Sequence, residues 1–187
     1  MNEQEVIRAI LNGDTRQFEE IVDQYQQIVA NLCYKYSGNK LDTEEITQQV
    51  FVELYSSLPR FRFDSKLSTF IYRIAVNVIC KSLEKERRYV RQPDEQPEQP
   101  STDRNIEQQL IYSEQHQELK LAIAQLKHEQ RTALILYTYN DFSYNDIAEV
   151  MQCSLSKVET LIFRAKKNLA TILKNKKQNS KNNEHEQ

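Results

Sequence analysis

The scarcity of residues that break helices is the feature that most constrains the fold of this chain. Its 187 residues include only 2 Gly and 4 Pro, and three of the prolines, Pro93, Pro97 and Pro100, lie close together. The chain is instead rich in Gln, Glu, Leu, Ile and Lys, which favour helices. We therefore expect an all-α protein.

The proline-rich stretch divides the chain into two small helical domains. Residues 92–112 open with a run of Pro, Gln and Glu that cannot bury apolar surface, which predicts a flexible linker. The domains on either side are predicted over 1–91 and 113–177, and a disordered tail over 178–187. A hydrophobic content of 39% fits two small domains with large surfaces better than one core.

Charge is segregated along the chain, although the net charge is only −2. Residues 1–59 carry 4 Lys and Arg against 10 Asp and Glu, whereas 60–91 carry 9 against 3. Residues 92–153 carry 4 against 11, and 154–181 carry 8 against 1. Because a nucleic acid responds to local charge, the two basic blocks are candidate binding surfaces. Basic helix faces that are merely solvated are the alternative.

The sequence offers no sign of a leader, a membrane span or a metal site. Its first residues are acidic where a signal peptide would be basic and apolar, and no stretch approaches the roughly 18 apolar residues of a span. We expect no membrane insertion and a cytoplasmic location. The three cysteines, Cys33, Cys80 and Cys153, are expected to be core residues in a reducing compartment. No cofactor or metal is expected.

Apolar periodicity predicts the helices of the N-terminal domain. A short helix should end before Gly13 and Asp14, and a second helix should follow with an unbroken stripe from Phe18 to Tyr36 that includes Ile28. A third helix is expected after an N-cap at Asp42. A fourth, over 67–88, should turn these residues inward: Leu67, Ile71, Ile74, Val78.

In the C-terminal domain, apolar spacing predicts helices around 119–126 and 133–137, the second with Tyr137 on its apolar face. A helix-turn-helix should follow. Ser143 and Asp146 have the spacing of a capping box that opens a short helix. The turn should place Gln152 in the left-handed conformation, where Gly is usual.

The outer face of the last helix carries side chains that reach bases and phosphates in a major groove. These are Ser156, Lys157, Glu159, Thr160, Phe163, Arg164 and Lys167. DNA binding is the favoured interpretation because the helix-turn-helix and a basic block coincide. An ordinary helical hairpin with a basic exterior is the alternative.

The order of three segments resembles the extracytoplasmic-function sigma factors, small members of the sigma-70 family, over about residues 5–173. DTEEITQQVFVELYSSLPRF resembles the helix of that family that binds core polymerase. SKLSTFIYRIAVNVICKSL resembles its helix for melting and reading the minus-ten element, and FSYNDIAEVMQCSLSKVETLIFRAKKNL resembles its minus-thirty-five reader.

This resemblance implies an alternative sigma factor that directs promoter-specific transcription initiation without catalysis of its own. The implied partners are core RNA polymerase, through its beta-prime clamp helices and beta flap, promoter DNA, and a membrane-linked anti-sigma factor. The implied polymerase-binding residues are Asp42, Glu45, Gln48 and Gln49. The implied minus-ten residues are Arg62, Phe63, Lys66, Thr69, Phe70, Arg73, Asn77 and Lys81, and the helix-turn-helix residues named above would read the minus-thirty-five element.

The chain departs from the family pattern at several of these positions. Phe70 replaces the usual tryptophan, Arg-Phe-Asp at 62–64 replaces a common Arg-Gly, and Gln49 stands where an acid is common. Glu159 replaces a frequent basic residue, which predicts an altered base preference.

Two other classes of protein compete with this interpretation. A different regulator would need a sensor domain, which a basic, aromatic-rich helix does not provide. An enzyme would need a phosphate loop or catalytic constellation, and the sequence has neither.

Overall fold

The computed structural model of the chain describes residues 3–37, 41–89, 117–139 and 142–184, and every regular element in these ranges is a helix. The predicted linker, 92–112, lies outside the described residues. The helices, in chain order, are α1 (Glu3–Leu11), α2 (Thr15–Ser37), α3 (Thr43–Ser57), α4 (Leu67–Tyr89), α5 (117–124 as far as described), α6 (His128–Tyr139), α7 (Tyr144–Met151) and α8 (Leu155–Glu184). The all-α prediction is confirmed.

The four N-terminal helices pack around one apolar core. α1 ends at a turn in which Gly13 has φ of +97°, a conformation that glycine adopts without strain, and the Asp14 carboxylate then accepts from the Arg16 N–H at 3.2 Å. α2 packs along both α3 and α4. Their facing side chains, which include Leu32, Leu54 and Ile71, are almost completely buried.

Pro59 ends α3 through an intermediate turn. α3 stops at Ser57, and Leu58–Arg60 form one turn of 3₁₀-helix with Pro59 in its first turn. The segment between this turn and α4 holds the aromatic and basic residues 61–66 in an irregular loop. The loop and α4 therefore present the first basic block together.

The C-terminal helices form the second domain, in which α6 packs mainly on α8. Arg131 of α6 is 4% exposed, and its guanidinium donates to the carbonyl oxygens of Ile123 (3.2 Å), Ala124 and Leu126 (3.4 Å). These carbonyl groups lie at and just beyond the end of α5, where helical hydrogen bonding stops, and the carbonyl of Ile123 also accepts from the Leu126 N–H at 3.1 Å. A buried charge thus closes α5 and fixes it to α6.

The largest contacts between the two domains are those of α4 with α7 and of α2 with α6. At the second contact Tyr36 of α2 is 3% exposed, and burial raises the pKa of its hydroxyl well above the ordinary range. Nearby, the Sγ of Cys80 lies 3.5 Å from Nδ1 of His128. Buried apolar residues of both domains consequently form one continuous cluster.

Three features differ from the sequence-based expectations. Ile28 is 37% exposed and Tyr137 is 38% exposed. Each lies at the margin of the apolar stripe of its helix, and the stripe is wider than the face of the helix that is buried. α8 continues to Glu184, past residue 178 where disorder was expected. The sequence of this stretch contains no apolar residue, and it contains no Pro or Gly that would interrupt the helix.

Candidate nucleic-acid and polymerase interfaces

The helix-turn-helix begins with the capping box that the sequence predicted. The Ser143 hydroxyl accepts from the Asp146 N–H at 3.2 Å, and the Asp146 carboxylate accepts from the Ser143 N–H at 3.0 Å. The Ser143 hydroxyl also donates to the Asp146 carboxylate. This hydrogen bond and the one from the Ser143 N–H lower the pKa of the Asp146 carboxyl, and the positive charge of Lys66 lowers it further. The start of α7 is therefore fixed by local polar contacts.

The turn between α7 and α8 has the predicted left-handed residue. Gln152 has φ of 51° and ψ of 48°, and the Cys153 N–H donates to the Ala148 carbonyl at 3.0 Å. α8 then starts with the Ser154 hydroxyl accepting from the Lys157 N–H at 3.2 Å. Val158 is completely buried beneath α7, and this fixes which face of α8 points outward.

All seven residues predicted to read the minus-thirty-five element lie on the exposed face of α8. Phe163 has 69% of its surface exposed, an unusual position for an aromatic ring that has no binding partner. Lys157 donates to the Glu129 carboxylate at 2.6 Å, with both side chains about half exposed. Pairing with Glu129 raises the pKa of the Lys157 ammonium, which keeps it charged. This arrangement offers cations, hydrogen-bonding groups and one ring to a ligand.

The loop before α4 is organised around Phe61, which is 8% exposed. Its ring centroid lies 4.9 Å from that of Phe63 and 4.8 Å from that of Phe70, so three rings form one cluster. Phe63 has φ of 59° and is 37% exposed. A left-handed phenylalanine is strained, whereas a glycine adopts this conformation without strain.

A groove of about 130 Å³ brings together part of the predicted minus-ten set, including Arg62, Phe70 and Arg73. Lys66 and Asn77 are exposed, but Thr69 is only 1% exposed. In this structure Thr69 is therefore a buried residue, since α4 turns that position toward the apolar core. The Arg73 guanidinium does not reach solvent freely either, because its Nη2 donates to the Glu149 carbonyl at 3.0 Å.

Lys81 lies apart from the aromatic loop, in a groove of about 390 Å³ between α3 and α4. The same groove is lined by Asp42, Glu45 and Gln49, three of the predicted polymerase-binding residues. Gln48 is exposed beside them. Asp42 also caps α3, since its carboxylate accepts from the backbone N–H groups of Glu44 at 2.9 Å and Glu45 at 3.1 Å.

Sequence reasoning missed two exposed apolar residues on α3. Val52 is 70% exposed and Tyr55 is 47% exposed. Helical spacing from Gln48 places both on the face that the polar residues begin. The signal in the sequence was Val52 itself, an apolar residue four positions after Gln48 on a helix face that is otherwise polar.

Among the described residues, no group of three or more His, Cys, Asp or Glu side chains is arranged to hold a metal ion. Within the same ranges, no helix is both long and apolar enough to cross a bilayer. Cys33 is completely buried, as expected of a core residue, whereas Cys80 and Cys153 are half-buried. Burial raises the pKa of the Cys80 thiol to about 12, which makes it unreactive.

Two family models match the chain. Sigma-70 region 2 matches residues 21–89, which contain α3, the aromatic loop and α4. Sigma-70 region 4 matches residues 116–169, which contain the helix-turn-helix. Among solved structures, CnrH in complex with the cytosolic domain of CnrY has a TM-score of 0.67 at 20% identity, with 92% of this chain and 97% of that chain covered. RpoE in complex with the anti-sigma factor NepR, from Bartonella quintana, has a TM-score of 0.62 at 20% identity, with 85% and 98% covered.

Named relatives extend over nearly the whole chain. The RNA polymerase sigma-H factor of Pseudomonas aeruginosa is 31% identical over 175 residues, which cover 88% of this chain and 90% of the relative. The extracytoplasmic-function (ECF) sigma-E factor of Haemophilus influenzae is 30% identical over 175 residues, covering 89% and 92%. The chain belongs to the ECF group of the sigma-70 family and is an alternative sigma factor that directs promoter-specific transcription initiation.

Proposed function

We propose that the N-terminal domain, 1–91, binds core RNA polymerase and reads and melts the minus-ten element, and that the C-terminal domain, 113–177, reads the minus-thirty-five element. The exposed face of α8 is the observation that carries this assignment. It offers seven polar, charged or aromatic side chains at helical spacing directly after a helix-turn-helix turn. A face of this kind suits a major groove, and the buried Val158 keeps it turned outward.

Base reading and phosphate binding divide between different residues of this face. Thr160 and Arg164 are exposed on this face beside Glu159. The Glu159 carboxylate is able to accept a hydrogen bond from cytosine N4. Lys157 and Lys167 lie nearer the phosphates. The Glu129 carboxylate offsets the positive charge that the Lys157 ammonium offers to a phosphate, so Lys167 carries more of the phosphate attraction.

For the minus-ten element, the three-ring cluster and the adjacent cations support binding of an opened strand. Phe63 and Phe70 flank the buried Phe61, and Arg62 and Lys66 are exposed at the same loop. Cations hold a single-stranded backbone while rings stack on unpaired bases. Asn77 is exposed farther along α4, and its amide group is able to donate a hydrogen bond to a base edge and to accept one from it.

The proposed polymerase contact is the exposed face of α3, formed by Asp42, Glu45, Gln48 and Gln49 and extended by Val52 and Tyr55. Acidic and amide groups suit the basic clamp helices of beta-prime, and the apolar pair would supply buried area. The beta flap is the proposed partner of the C-terminal domain. A membrane-linked anti-sigma factor is a further proposed partner, supported by the structures named above, in which RpoE is in complex with the anti-sigma factor NepR and CnrH with the cytosolic domain of CnrY.

This role requires no catalysis by the chain, and we assign it to the cytoplasm, where polymerase and promoter DNA meet. Run-off transcription with purified core polymerase on genomic fragments tests the function, since specific transcripts should arise only when the protein is added. If no promoter-specific transcript appears with active core enzyme, the proposed roles of both domains fail.

Two variants of α8 test the orientation of its reading face. Glu159→Arg should change the preferred upstream sequence, by roughly 1–3 kcal/mol of base discrimination. Lys167→Ala is the matched control on the same face, and should weaken all sequences alike and reduce the salt slope by about one. A Glu159→Arg variant with lower affinity but the same preferred sequence would show that this face is oriented differently.

A further inference from the structure

Domain closure places α7 of the C-terminal domain directly on the part of α4 assigned to the minus-ten strand. The Tyr72 ring meets the Phe142 ring edge to face, with 4.6 Å between their centroids. One residue farther on, Arg73 donates to the Glu149 carbonyl in the last turn of α7 at 3.0 Å. These residues come from segments about 70 positions apart in the chain, so the contacts join the two domains.

α7 is matched to this basic face at both of its ends. Its first turn holds Asp146, whose carboxyl pKa is lowered chiefly by Ser143 and additionally by the charge of Lys66. Its last turn carries carbonyl groups at the negative end of the helix dipole, and the guanidinium of Arg73 meets them there. The Arg73 guanidinium, assigned to the minus-ten strand, is therefore bonded to a carbonyl group of the chain itself.

The minus-thirty-five face is not covered in the same arrangement. All seven of its residues are exposed, and Phe163 is more exposed than any other large apolar residue on α8. Arg73, by contrast, is half-buried, and its Nε is buried without a hydrogen-bond partner among the described residues. A guanidinium satisfied on one side only is bound weakly enough to be exchanged for a phosphate.

We propose that α7 and Phe142 form a self-inhibitory latch that covers Tyr72 and Arg73 in the free chain, and that the minus-ten strand must displace it. This rests on the assignment of α4 to that strand. Because the chain binds the strand only in its open form, the latch lowers the apparent affinity by the open fraction. The free chain is thereby able to engage duplex DNA through α8 before α4 becomes available.

A double-mutant cycle tests whether the latch contact forms in solution, without any DNA. The unfolding equilibria of the full-length wild type, Tyr72→Leu, Phe142→Leu and the double variant are measured in urea. If the rings meet, the unfolding equilibrium constant of the double variant should be about two- to tenfold smaller than the value obtained by multiplying the effects of the two single substitutions. Independent effects of the two substitutions would overturn the latch.

Binding of a mixed-sequence single-stranded DNA of about 12 nucleotides tests whether the contact inhibits. Phe142→Leu should bind this probe about two- to tenfold more tightly than the wild type, with unchanged affinity for random duplex DNA. Phe18→Leu is the matched control, because the Phe18 ring meets the Tyr55 ring within the N-terminal domain, with 5.0 Å between their centroids, away from both α4 and α7. Its single-strand affinity should equal that of the wild type.

The two measurements separate failure of the latch from failure of the function. Ring coupling with wild-type single-strand affinity in Phe142→Leu would overturn the latch and leave the assigned surfaces intact. Ring coupling with no single-strand binding by any variant, together with no promoter-specific transcript, would instead overturn the assignment of α4 and the latch with it.

Discussion

Gln152 holds the turn of the helix-turn-helix in a conformation that favours glycine, so Gln152→Gly should stabilise the C-terminal domain. The residue has φ of 51°, and its side chain is exposed. A side chain in this region costs roughly 1–2 kcal/mol, which glycine avoids. Glycine in turn loses about 0.4–1 kcal/mol through the greater freedom of the unfolded chain. The expected net gain is about 0.5–1 kcal/mol.

For a domain of this size, that gain corresponds to an increase in Tm of about 2–8 °C. Calorimetry of the full-length chain should show it in the transition of the C-terminal domain. The backbone hydrogen bond from Cys153 to Ala148 involves no Gln152 side-chain atom, so the turn itself should be retained. The fold of the reading face, and hence DNA binding, should not change.

Gln152→Ala is the control, because alanine retains the left-handed strain and gains nothing from it. The reasoning is refuted if Gln152→Gly melts no higher than the alanine variant. That result would mean that the strain is relieved by the surrounding backbone.

Three further predictions concern the capping box, the opened strand and the aromatic loop. Asp146 has a lowered pKa in the folded chain, so its contribution is complete above the unfolded pKa of about 3.9 and is lost as pH falls through the lower folded value. The stability advantage of the wild type over Asp146→Asn, measured in urea at several pH values, should therefore shrink in acid, and a constant difference would contradict the capping role. Asn77→Ala should spare closed-complex binding and impair open-complex formation, as read by permanganate footprinting on matched and pre-melted promoters; no defect on either template would remove Asn77 from base capture. Phe63→Gly should leave stability nearly unchanged, because relief of roughly 1 kcal/mol of left-handed strain offsets the lost ring contact with Phe61, while open-complex formation falls. Wild-type footprints from this variant would show that the Phe63 ring does not meet the opened strand.

Features set by neighbouring residues were predictable from the sequence. The capping box at Ser143, the N-cap at Asp42 and the left-handed Gln152 each depend on a few adjacent positions, and all three predictions are confirmed. Helical periodicity likewise identified most of the buried residues. The assignments of individual residues to DNA and polymerase stay predictions.

Features set by contacts between distant segments were not predictable in this way. Thr69 has the polarity of a surface residue, but its burial depends on how α4 is rotated against the core. The hydrogen bond from Arg73 to Glu149 joins residues 76 positions apart, and no local pattern encodes it.

The buried Arg131 has a mechanical consequence. If the two domains are drawn apart, the load enters the C-terminal domain at α5, the first of its described helices along the chain. The Arg131 guanidinium donates hydrogen bonds to three carbonyl groups at the C-terminal end of α5. Tension should therefore unravel α5 from its entry side and stop at this anchor, so that α6 and the helices packed on it bear the load without losing their fold.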